Sequence, residues 1–339
     1  MNKIIRNVML PFAVAIVAAS CAKSEKVESN GAERKYLEAW MTVNHPEVSP
    51  TGLGIYIIDD QVGTGEEVED EMFAYVSYTV RALDGTITST NRASVAQQLG
   101  TYSKSSYYGP EVWTVGVGNL PVGVEEMIVG MKVGGKKTAV IPSWLLGYVR
   151  YDKDSDYYKN TTESSTSIYE VEIVRIAKDI LKPQVEDMEE YAAKYLNGVD
   201  SLSYGFYYKQ LTPPRDTNAF KSDTTIYINY IGRLLNGQVF DTTIADTAKC
   251  YNIYSTSKTY EPVSVNWGAS YSDITMGTST EPTKIIAGFG KTLWQMRPYE
   301  RGVGMFFSNY GYGYTGSGKS IPAYSPLVFE IEITDNPEK

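Results

Sequence analysis

Side chains that commonly carry out nucleophilic or metal-assisted catalysis are rare in this sequence. It contains one histidine, His45, and two cysteines, Cys21 and Cys250. A catalytic dyad or triad built on histidine would depend on His45 alone, which stands beside Pro46 in a predicted surface loop. The same counts exclude a disulfide framework and a cysteine-based zinc site. Aromatic side chains are abundant instead, with 28 tyrosines in the chain.

Two short patterns suggest ligand binding but lack the context that it requires. Residues 313–320 (Gly-Tyr-Thr-Gly-Ser-Gly-Lys-Ser) match the phosphate-binding P-loop pattern. A P-loop needs a helix that begins at its Lys-Ser pair, whereas Ile321, Pro322 and a predicted strand follow here. The acidic run 66–71 lacks the ligand spacing of a calcium loop, and we predict a solvated turn there. The sequence therefore predicts no nucleotide, no metal and no cofactor.

The composition predicts an acidic, globular protein of two domains. A length of 339 residues suggests two domains, and the hydrophobic fraction of 42% with 21% charged residues is typical of folded chains. The formal net charge of −9 argues against a nucleic-acid partner, because phosphate binding requires a basic face. The high tyrosine content favours β structure.

The chain contains an imperfect internal repeat with an offset of 152 residues. Tyr78 matches Tyr230, and the strand-like segments that contain them end in Asp84-Gly85 and Asn236-Gly237. Asp-Gly and Asn-Gly between alternating apolar residues are strong hairpin signals. Other elements recur in the same order in both halves: helices at 33–40 and 184–196, early strands at 54–57 and 205–208, and last strands at 168–173 and 328–333.

The second half resembles the FKBP-type peptidyl-prolyl cis-trans isomerases. Five blocks carry the resemblance in the family's order: 228–230 (Ile-Asn-Tyr), 236–241 (Asn-Gly-Gln-Val-Phe-Asp), 285–289 (Ile-Ile-Ala-Gly-Phe), 309–313 (Asn-Tyr-Gly-Tyr-Gly) and 321–330. In the first half, residues 116–134 and 140–142 resemble the family's central helix and the strand after it. The resemblance covers nearly all of residues 52–335. It implies an α+β fold of two FKBP-like domains, each a bent antiparallel sheet around one short helix, with extra helices before each domain.

The resemblance implies peptidyl-prolyl isomerase activity in the second half, on proline-containing polypeptides. Rotation about an Xaa-Pro bond breaks amide resonance against a barrier of about 18–20 kcal/mol. The twisted amide is less charge-separated than the planar one, so an apolar aromatic cup should favour the transition state. Each ring taken alone also fits an ordinary core, but their order as a set favours the cup. The implied site consists of Tyr230, Phe240, Asp241, Ile285, Ile286, Phe289, Tyr312, Ile321 and Phe329.

Several of these residues have individual roles by the same resemblance. The backbone N–H of Ile286 would donate to a substrate carbonyl, and the Tyr312 hydroxyl would contact the ligand. Asp241 would lie at the polar rim and orient the tyrosines. Phe289 stands where the family usually has a tryptophan floor, and this smaller ring would weaken binding.

The first half departs further from the family pattern. Thr88-Ser89 replaces the Phe-Asp pair, Val124 occupies the floor position, and Gly147 replaces a tyrosine, with Tyr148 one residue late. We expect a structural relic or a binding surface there rather than a catalyst. Thr162-Glu163-Ser164 replaces the Ile-Pro before the last strand, while Tyr78, Trp113, Leu120 and Tyr169 remain.

The second half also contains a long segment between two of its blocks. The 43 residues between Asp241 and Ile285 are about twice the number usual in the family. The extra stretch, near 246–280, would lie beside the groove and would either select substrates or cover the cup. It carries Tyr251, Tyr254, Tyr260, Trp267 and Tyr271.

The N-terminal residues are typical of an export signal. Lys3 and Arg6 precede an apolar run, residues 8–19, which is too short to span a membrane. The run ends Ala-Ala-Ser before Cys21, which resembles a bacterial lipoprotein cleavage site with Cys21 as the lipidated residue. We therefore expect an exported protein, attached by its lipid to the bacterial cell envelope at the outer membrane, on its periplasmic or surface side. In an exported chain the remaining thiol, Cys250, is expected to be buried.

These observations define a predicted organisation and two functional hypotheses. The first hypothesis is a lipid-anchored, extracytoplasmic prolyl isomerase that assists protein folding and is active in its second domain. The second is a protein-binding or structural lipoprotein that keeps the FKBP-like fold without turnover. The predicted segments are a signal peptide (1–20), a tether (21–32), a degenerate FKBP-like domain with an N-terminal helix (33–178), a helical linker (179–200) and an FKBP-type domain with the long insertion (201–339).

Overall fold

Each half of the chain forms one antiparallel sheet with helices packed against it. The structure is a computed structural model, and it describes residues 30–162, 164–278 and 280–337. The predicted α+β architecture with two repeated sheet domains is confirmed. The predicted signal peptide and Cys21 lie outside the described residues.

The first half contains the six-stranded sheet. Its elements are α1 (Gly31–Asn44), β1 (Tyr56–Gln61), β2 (Phe73–Ala82), β3 (Ile87–Thr90), α2 (Ala93–Gln98), β4 (Glu111–Thr114), α3 (Val122–Ile128), β5 (Lys136–Ile141), a 3-10 turn (Ser143–Leu145), α4 (Asp154–Tyr157) and β6 (Ser167–Ala177). The strands lie in the order β1-β5-β6-β2-β3, and β4 pairs with the start of β2 beside β3.

The second half contains the nine-stranded sheet. Its elements are α5 (Leu181–Tyr195), β7 (Asp200–Ser203), β8 (Phe206–Thr212), β9 (Thr225–Leu234), β10 (Val239–Thr242), α6 (Ala245–Cys250), β11 (Val263–Asn266), a 3-10 turn (Tyr271–Asp273), β12 (Thr275–Met276), β13 (Thr283–Lys284), α7 (Ala287–Gln295), β14 (Arg301–Phe306), a 3-10 turn (Ser308–Tyr310) and β15 (Leu327–Thr334). The strand order is β13-β12-β11-β9-β15-β14-β8-β7, and β10 pairs with β9.

One short helix in each half fills the inside of its bent sheet. Val124 and Met127 of α3 are buried in the first core, and Phe289 and Leu293 of α7 are buried in the second. The central strand β9 alternates buried and half-exposed residues, as expected for a strand with one face against a core. These two cores correspond to the domain architecture that the sequence predicts.

The longer helices each pack on their own half of the chain. Leu37 and Met41 of α1 are buried in the first core, and the Trp40 indole N–H donates to the Leu83 carbonyl at 3.1 Å. Met188 and Ala192 of α5 pack in a separate cluster on the second sheet, beside residues of β14 and β15. The helix α5 also contacts the first half, because Arg175 of β6 forms ion pairs with Glu186 and Asp187.

The internal repeat extends through the segment that the sequence suggested was an insertion. β4 pairs with β2 through Val76 and Glu111, and β11 pairs with β9 through Ile228 and Val263, which are the same positions at the offset of 152. The helices α2 and α6 are equivalent in the same way. Only the stretch after β11, with β12 and β13, distinguishes the second half in this region.

Two local expectations have different outcomes. Residues 313–320 form turns that lead to the strand β15, so no helix begins at the Lys-Ser pair and the P-loop interpretation is excluded. The expectation that Cys250 is buried is wrong, because the thiol is exposed. Cys250 ends the short helix α6, whose buried face is provided by Ala248.

Within residues 30–162, 164–278 and 280–337, no helix is long and apolar enough to cross a membrane.

A glycine in β14 sets how closely α7 approaches the sheet. A Cβ atom added at Gly304 would lie 1.8 Å from the hydroxyl oxygen of Thr292 on α7. That hydroxyl donates to the Gly288 carbonyl at 2.8 Å and is buried, so it has little freedom to move. The contact holds α7, and with it Phe289, against β14.

We expect Gly304→Ala to destabilise the second half. The added methyl group would force α7 away from β14, and overpacking of this kind costs about 1–3 kcal/mol. The free energy of unfolding, measured by urea denaturation, should fall by that amount. Gly52→Ala is the matched control, because an added Cβ there meets no atom within 4 Å. An equal loss in both variants would contradict the proposed contact.

Candidate active site

The candidate site lies on the concave side of the second sheet. Gly232 of β9 is the reference point, because it pairs with Phe329 of β15 on one side and with Asp241 of β10 on the other. Tyr230 lies two residues earlier on the same face of β9. Since Gly232 has no side chain, the rings of Phe240 and Phe329 can converge on it. A Cβ atom there would lie 2.6 Å from Phe240 and 2.8 Å from Phe329.

Four aromatic rings form the wall and floor of this site. Phe289 meets Phe329 edge-on with 4.9 Å between ring centroids, and it meets Tyr230 edge-on at 5.6 Å. Phe240 meets Phe329 edge-on at 5.6 Å. Edge-to-face pairs of this kind contribute about 0.5–1.5 kcal/mol each beyond the area that they bury. The rings therefore hold one another in fixed orientations.

A carboxylate lies at the rim of the ring cluster. The Tyr230 hydroxyl donates to Oδ2 of Asp241 at 2.6 Å, and the Thr242 N–H donates to Oδ1 at 2.9 Å. Burial, and then the charge of Asp241, raise the pKa of Tyr230 far above its ordinary value. Burial and Asp241 also raise the pKa of Tyr312. Both hydroxyls therefore remain protonated and able to donate at neutral pH.

The remaining residues named from the sequence lie in or beside the same cluster. Ile321 is buried in the second core, and Ile285 and Ile286 pack against it half-exposed. Tyr312 is 36% exposed, as a side chain at the mouth of a site would be. Ile286 precedes α7, and among the described residues no acceptor is seen for its N–H. The fold thus brings all nine residues of the implied site to one place.

Lys258 is also part of this site, although no pattern in the sequence predicted it. Its ammonium group forms an ion pair with Oδ1 of Asp241. The loop that carries Lys258 is shaped by Tyr254 and Tyr260, whose rings stack 4.9 Å apart, and by the Ser255 N–H, which donates to the Tyr260 hydroxyl at 3.0 Å. The first half has the same stack between Tyr102 and Tyr108, at the offset of 152. Extending the repeat into this segment would have located the loop from the sequence.

The first half places its remaining aromatic residues around an open cavity. The cavity has a volume of about 910 Å³. The ring centroids of Tyr78 and Trp113 lie 5.5 Å apart. Thr88 and Ser89 line it where the second half has Phe240 and Asp241, so the rim carboxylate and one wall are missing. Glu163 lies outside the described residues. Other lining residues that the sequence analysis named are Leu120, Val124, Tyr148, Ser164 and Tyr169.

The second-half site can bind an apolar ring against aromatic walls and a carbonyl group at its rim. The two charged groups at its rim, Asp241 and Lys258, are paired with each other. No group of histidine, cysteine, aspartate or glutamate that could hold a metal ion occurs in residues 30–162, 164–278 and 280–337. The arrangement is suited to a reaction that needs a shaped, low-dielectric pocket and a few hydrogen-bond donors.

Comparison with a family model agrees with this geometry. The model of the FKBP-type peptidyl-prolyl cis-trans isomerases matches residues 65–174 and 216–334, which make up more than half of the chain. The chain belongs to the FKBP-type peptidyl-prolyl cis-trans isomerase family. Both sheets contain a family domain, including the half whose site residues have diverged.

Individual relatives match only part of the chain. A Haemophilus influenzae protein named "Probable FKBP-type peptidyl-prolyl cis-trans isomerase" is 27% identical over 165 residues, which are 48% of this chain and 56% of that protein. The Trypanosoma cruzi macrophage infectivity potentiator is 26% identical over 132 residues, or 39% of this chain and 53% of that one. The chain thus spans about half the length of the curated relatives that it matches.

Solved structures of the family also match. A peptidyl-prolyl cis-trans isomerase from Pseudomonas syringae is 25% identical, with a TM-score of 0.32, over 46% of this chain and 92% of that one. The three FKBP domains of wheat FKBP73 are 16% identical, with a TM-score of 0.30, over 85% of this chain and 98% of that one.

The raised pKa of Tyr230 predicts a loss of stability at alkaline pH. In the unfolded chain a tyrosine ionises near pH 10, whereas burial and Asp241 keep folded Tyr230 protonated. Its contribution to stability is therefore complete below pH 10 and decreases as the pH rises above that value. In Tyr230→Phe, the free energy of unfolding should decrease less steeply between pH 10 and 11 than in the parent. Tyr227→Phe, on the same strand, should follow the parent. Identical slopes for all three proteins would contradict the assignment.

Proposed function

We propose that the protein is an extracytoplasmic peptidyl-prolyl cis-trans isomerase that assists protein folding, with its activity in the second domain and a lipid anchor on Cys21. The observation that carries the catalytic part is the convergence of the four rings and the Tyr230–Asp241 pair around Gly232. Membership of the family makes proline-containing polypeptides the expected substrates.

The geometry suits a mechanism without acid, base, metal or cofactor. A proline ring would contact the exposed edge of the aromatic cluster of Tyr230, Phe289 and Phe329, which are largely buried against one another. The N–H of Ile286, which has no acceptor among the residues that the structure describes, would donate to the carbonyl of the bound segment. The planar amide is more polar than the twisted one, so the apolar cup stabilises the twisted state relative to the planar state. The Asp241 carboxylate accepts a hydrogen bond from the Tyr230 hydroxyl at the rim and so fixes the orientation of the Tyr230 ring.

A second candidate function, polypeptide binding without turnover, is favoured by one feature of the rim. Lys258 pairs with Asp241, so the loop between α6 and β11 contacts the site directly. Phe289 in the floor position also gives a smaller ring than the family usually has there. These features favour weak catalysis or binding alone, and an activity measurement separates the two.

We expect isomerisation of a short Xaa-Pro peptide by the full chain, and we expect substitutions in the second domain to reduce it. Asp241→Ala leaves the Tyr230 hydroxyl without its acceptor, and Phe329→Ala removes a ring from the wall. Each should lower kcat/KM by about tenfold, given a truncation cost of about 1–3 kcal/mol. Tyr169→Ala is the matched control, because Tyr169 pairs with Val80 as Phe329 pairs with Gly232.

Circular dichroism of each variant would separate loss of the site from loss of the fold. An equal loss of activity in Tyr169→Ala would place the catalyst elsewhere. No acceleration by the parent, with several different residues before the proline, would favour the binding function.

The anchor is tested separately by Cys21→Ser. We expect the parent to fractionate with membranes and to enter the detergent phase on phase separation, because two or more acyl chains give stable membrane attachment. Cys21→Ser should lose both properties. Cys250→Ser is the control, since its exposed thiol is not at a lipoprotein cleavage site. Membrane association that is unchanged in Cys21→Ser would refute the lipid anchor.

A further inference from the structure

A cleft between the two halves contains a second set of groups that can bind a ligand. The 910 Å³ cavity of the first half adjoins another of about 660 Å³. Tyr78, Ser89 and Val112 line both cavities. Ala323, from the loop before β15, also lines both, so the second half closes one side of the cleft. The two cavities together form one elongated surface with walls from both domains.

Specific contacts hold this wall in place. The Tyr107 N–H donates to the Lys319 carbonyl at 2.8 Å. The Tyr324 ring meets the Phe73 ring edge-on at 5.4 Å, and its hydroxyl lies 3.4 Å from that of Thr114. Tyr107 packs against the second core, and burial raises its pKa to about 12. The cleft is therefore a built part of the fold.

The polar groups in the cleft differ from those of the candidate active site in a systematic way. At the offset of 152, Asp241 and Lys258 of the second half correspond to Ser89 and Ser106, which line the smaller cavity. Neither member of the ion pair is kept. A carboxylate appears instead at Glu111, where the second half has the apolar residue Val263.

Glu111 is a half-buried carboxylate without a cation. It lines the smaller cavity beside Tyr78, and among the described residues it forms no ion pair within 4 Å. Burial raises the pKa of Glu111 and a hydrogen bond from Tyr78 lowers it in part, so the charge is less well solvated than an exposed one. Lys319 is the basic residue that lines the cavity, and its side chain is exposed. A poorly solvated carboxylate gains more from a bound cation than an exposed one does.

The groups around Glu111 define the rest of the ligand. The tyrosine rings of Tyr78, Tyr107 and Tyr108 line the same cavity, and aromatic faces attract ammonium and guanidinium groups. Hydroxyl groups of Thr88 and Ser89 can pair with backbone amides. The adjoining larger cavity, with Trp113, Leu120 and Val124, offers a mainly apolar surface to a neighbouring side chain.

We propose that this interdomain cleft is a second, non-catalytic binding site that takes a Lys or Arg side chain of a polypeptide at Glu111 and an adjacent large apolar side chain in the first-domain cavity. The net charge of −9 also favours basic segments over acidic ones. This site is centred on Glu111 and borders the second-domain cup at Ile321, which lines the smaller cavity, and its occupancy does not require isomerase activity.

The test is calorimetric titration of the full chain in detergent with two peptides, acetyl-Ala-Leu-Arg-Ala-amide and the same peptide with Glu in place of Arg. We expect the Arg peptide to bind at low salt and the Glu peptide not to bind. Glu111→Gln should weaken binding of the Arg peptide by at least about tenfold, as expected for loss of a charge-assisted contact. Glu261→Gln, a charge-matched change at an exposed site, should leave it unchanged.

Two further variants keep the test independent of folding defects. Ser106→Lys places an ammonium group at the position equivalent to Lys258 and leaves Glu111 intact, and it should also abolish binding of the Arg peptide. Lys319→Met removes the competing cation and should strengthen binding by about two- to threefold. Thermal unfolding of each variant, followed by circular dichroism, would verify that it is folded.

The proposal has clear contrary outcomes. No binding of the Arg peptide, equal binding of the Glu peptide, or full binding by Glu111→Gln would each overturn it. Loss of binding in Asp241→Ala would place the peptide in the second-domain cup instead. Because Asp241→Ala is expected to lose isomerase activity and keep this binding, failure of one proposal is distinguishable from failure of the other.

Discussion

The convergence of aromatic rings on Gly232 is the constraint on which the candidate active site depends. The antiparallel register of β9, β10 and β15 brings Phe240 and Phe329 to a residue that has no side chain. The space that a Cβ atom would occupy is filled by these rings. Phe289 is held below them because α7 packs closely on Gly304 of β14. The site is thus a consequence of sheet register and of two glycines that permit close approach.

The two halves illustrate how one scaffold can support two electrostatic environments. The pairing of β4 with β2 and of β11 with β9, and the paired tyrosine stacks, recur at the offset of 152, and one short helix follows in each half. The Asp241–Lys258 pair does not recur, whereas the Arg–Glu pair between the central and last strands does, as Arg81–Glu170 and Arg233–Glu330. The second half has Asp241 with its own cation, Lys258, whereas Glu111 of the first half has no ion-pair partner within the described part of the chain. An internally neutralised carboxylate orients neighbours, whereas a poorly solvated one is available to a ligand.

Contacts between the halves fix one wall of the cleft beside the diverged first domain. The loop before β15 serves its own domain through Ile321, which is buried in the second core. The same loop also contacts the first domain, because Tyr324 packs on Phe73 and Ala323 lines the cleft. Tyr324 has a positive φ of 59°, an unfavourable backbone conformation for a residue with a side chain. The packing of its ring between Phe73 and Thr114 offsets that cost.

The sequence by itself determined the fold class, the duplication and the positions of the early, central and last strands of each half. Period-two alternation in β9 and β15, and hairpin signals at Gly85 and Gly237, are local properties that depend on few neighbours. The ordered family blocks were also sufficient to choose the residues that the fold assembles around Gly232. Those features are readable because each is encoded within a single short segment.

Only the tertiary structure decided which charges meet. Lys258 and Asp241 are 17 residues apart, and a register shift in β10 together with a stacked tyrosine loop brings them together. The cleft depends on residues from both halves, such as Tyr107 and Lys319, whose proximity no periodicity predicts. The exposure of Cys250 likewise depends on which face of α6 is covered. Side-chain pairing across elements depends on distances that the spacing of residues along the chain does not contain.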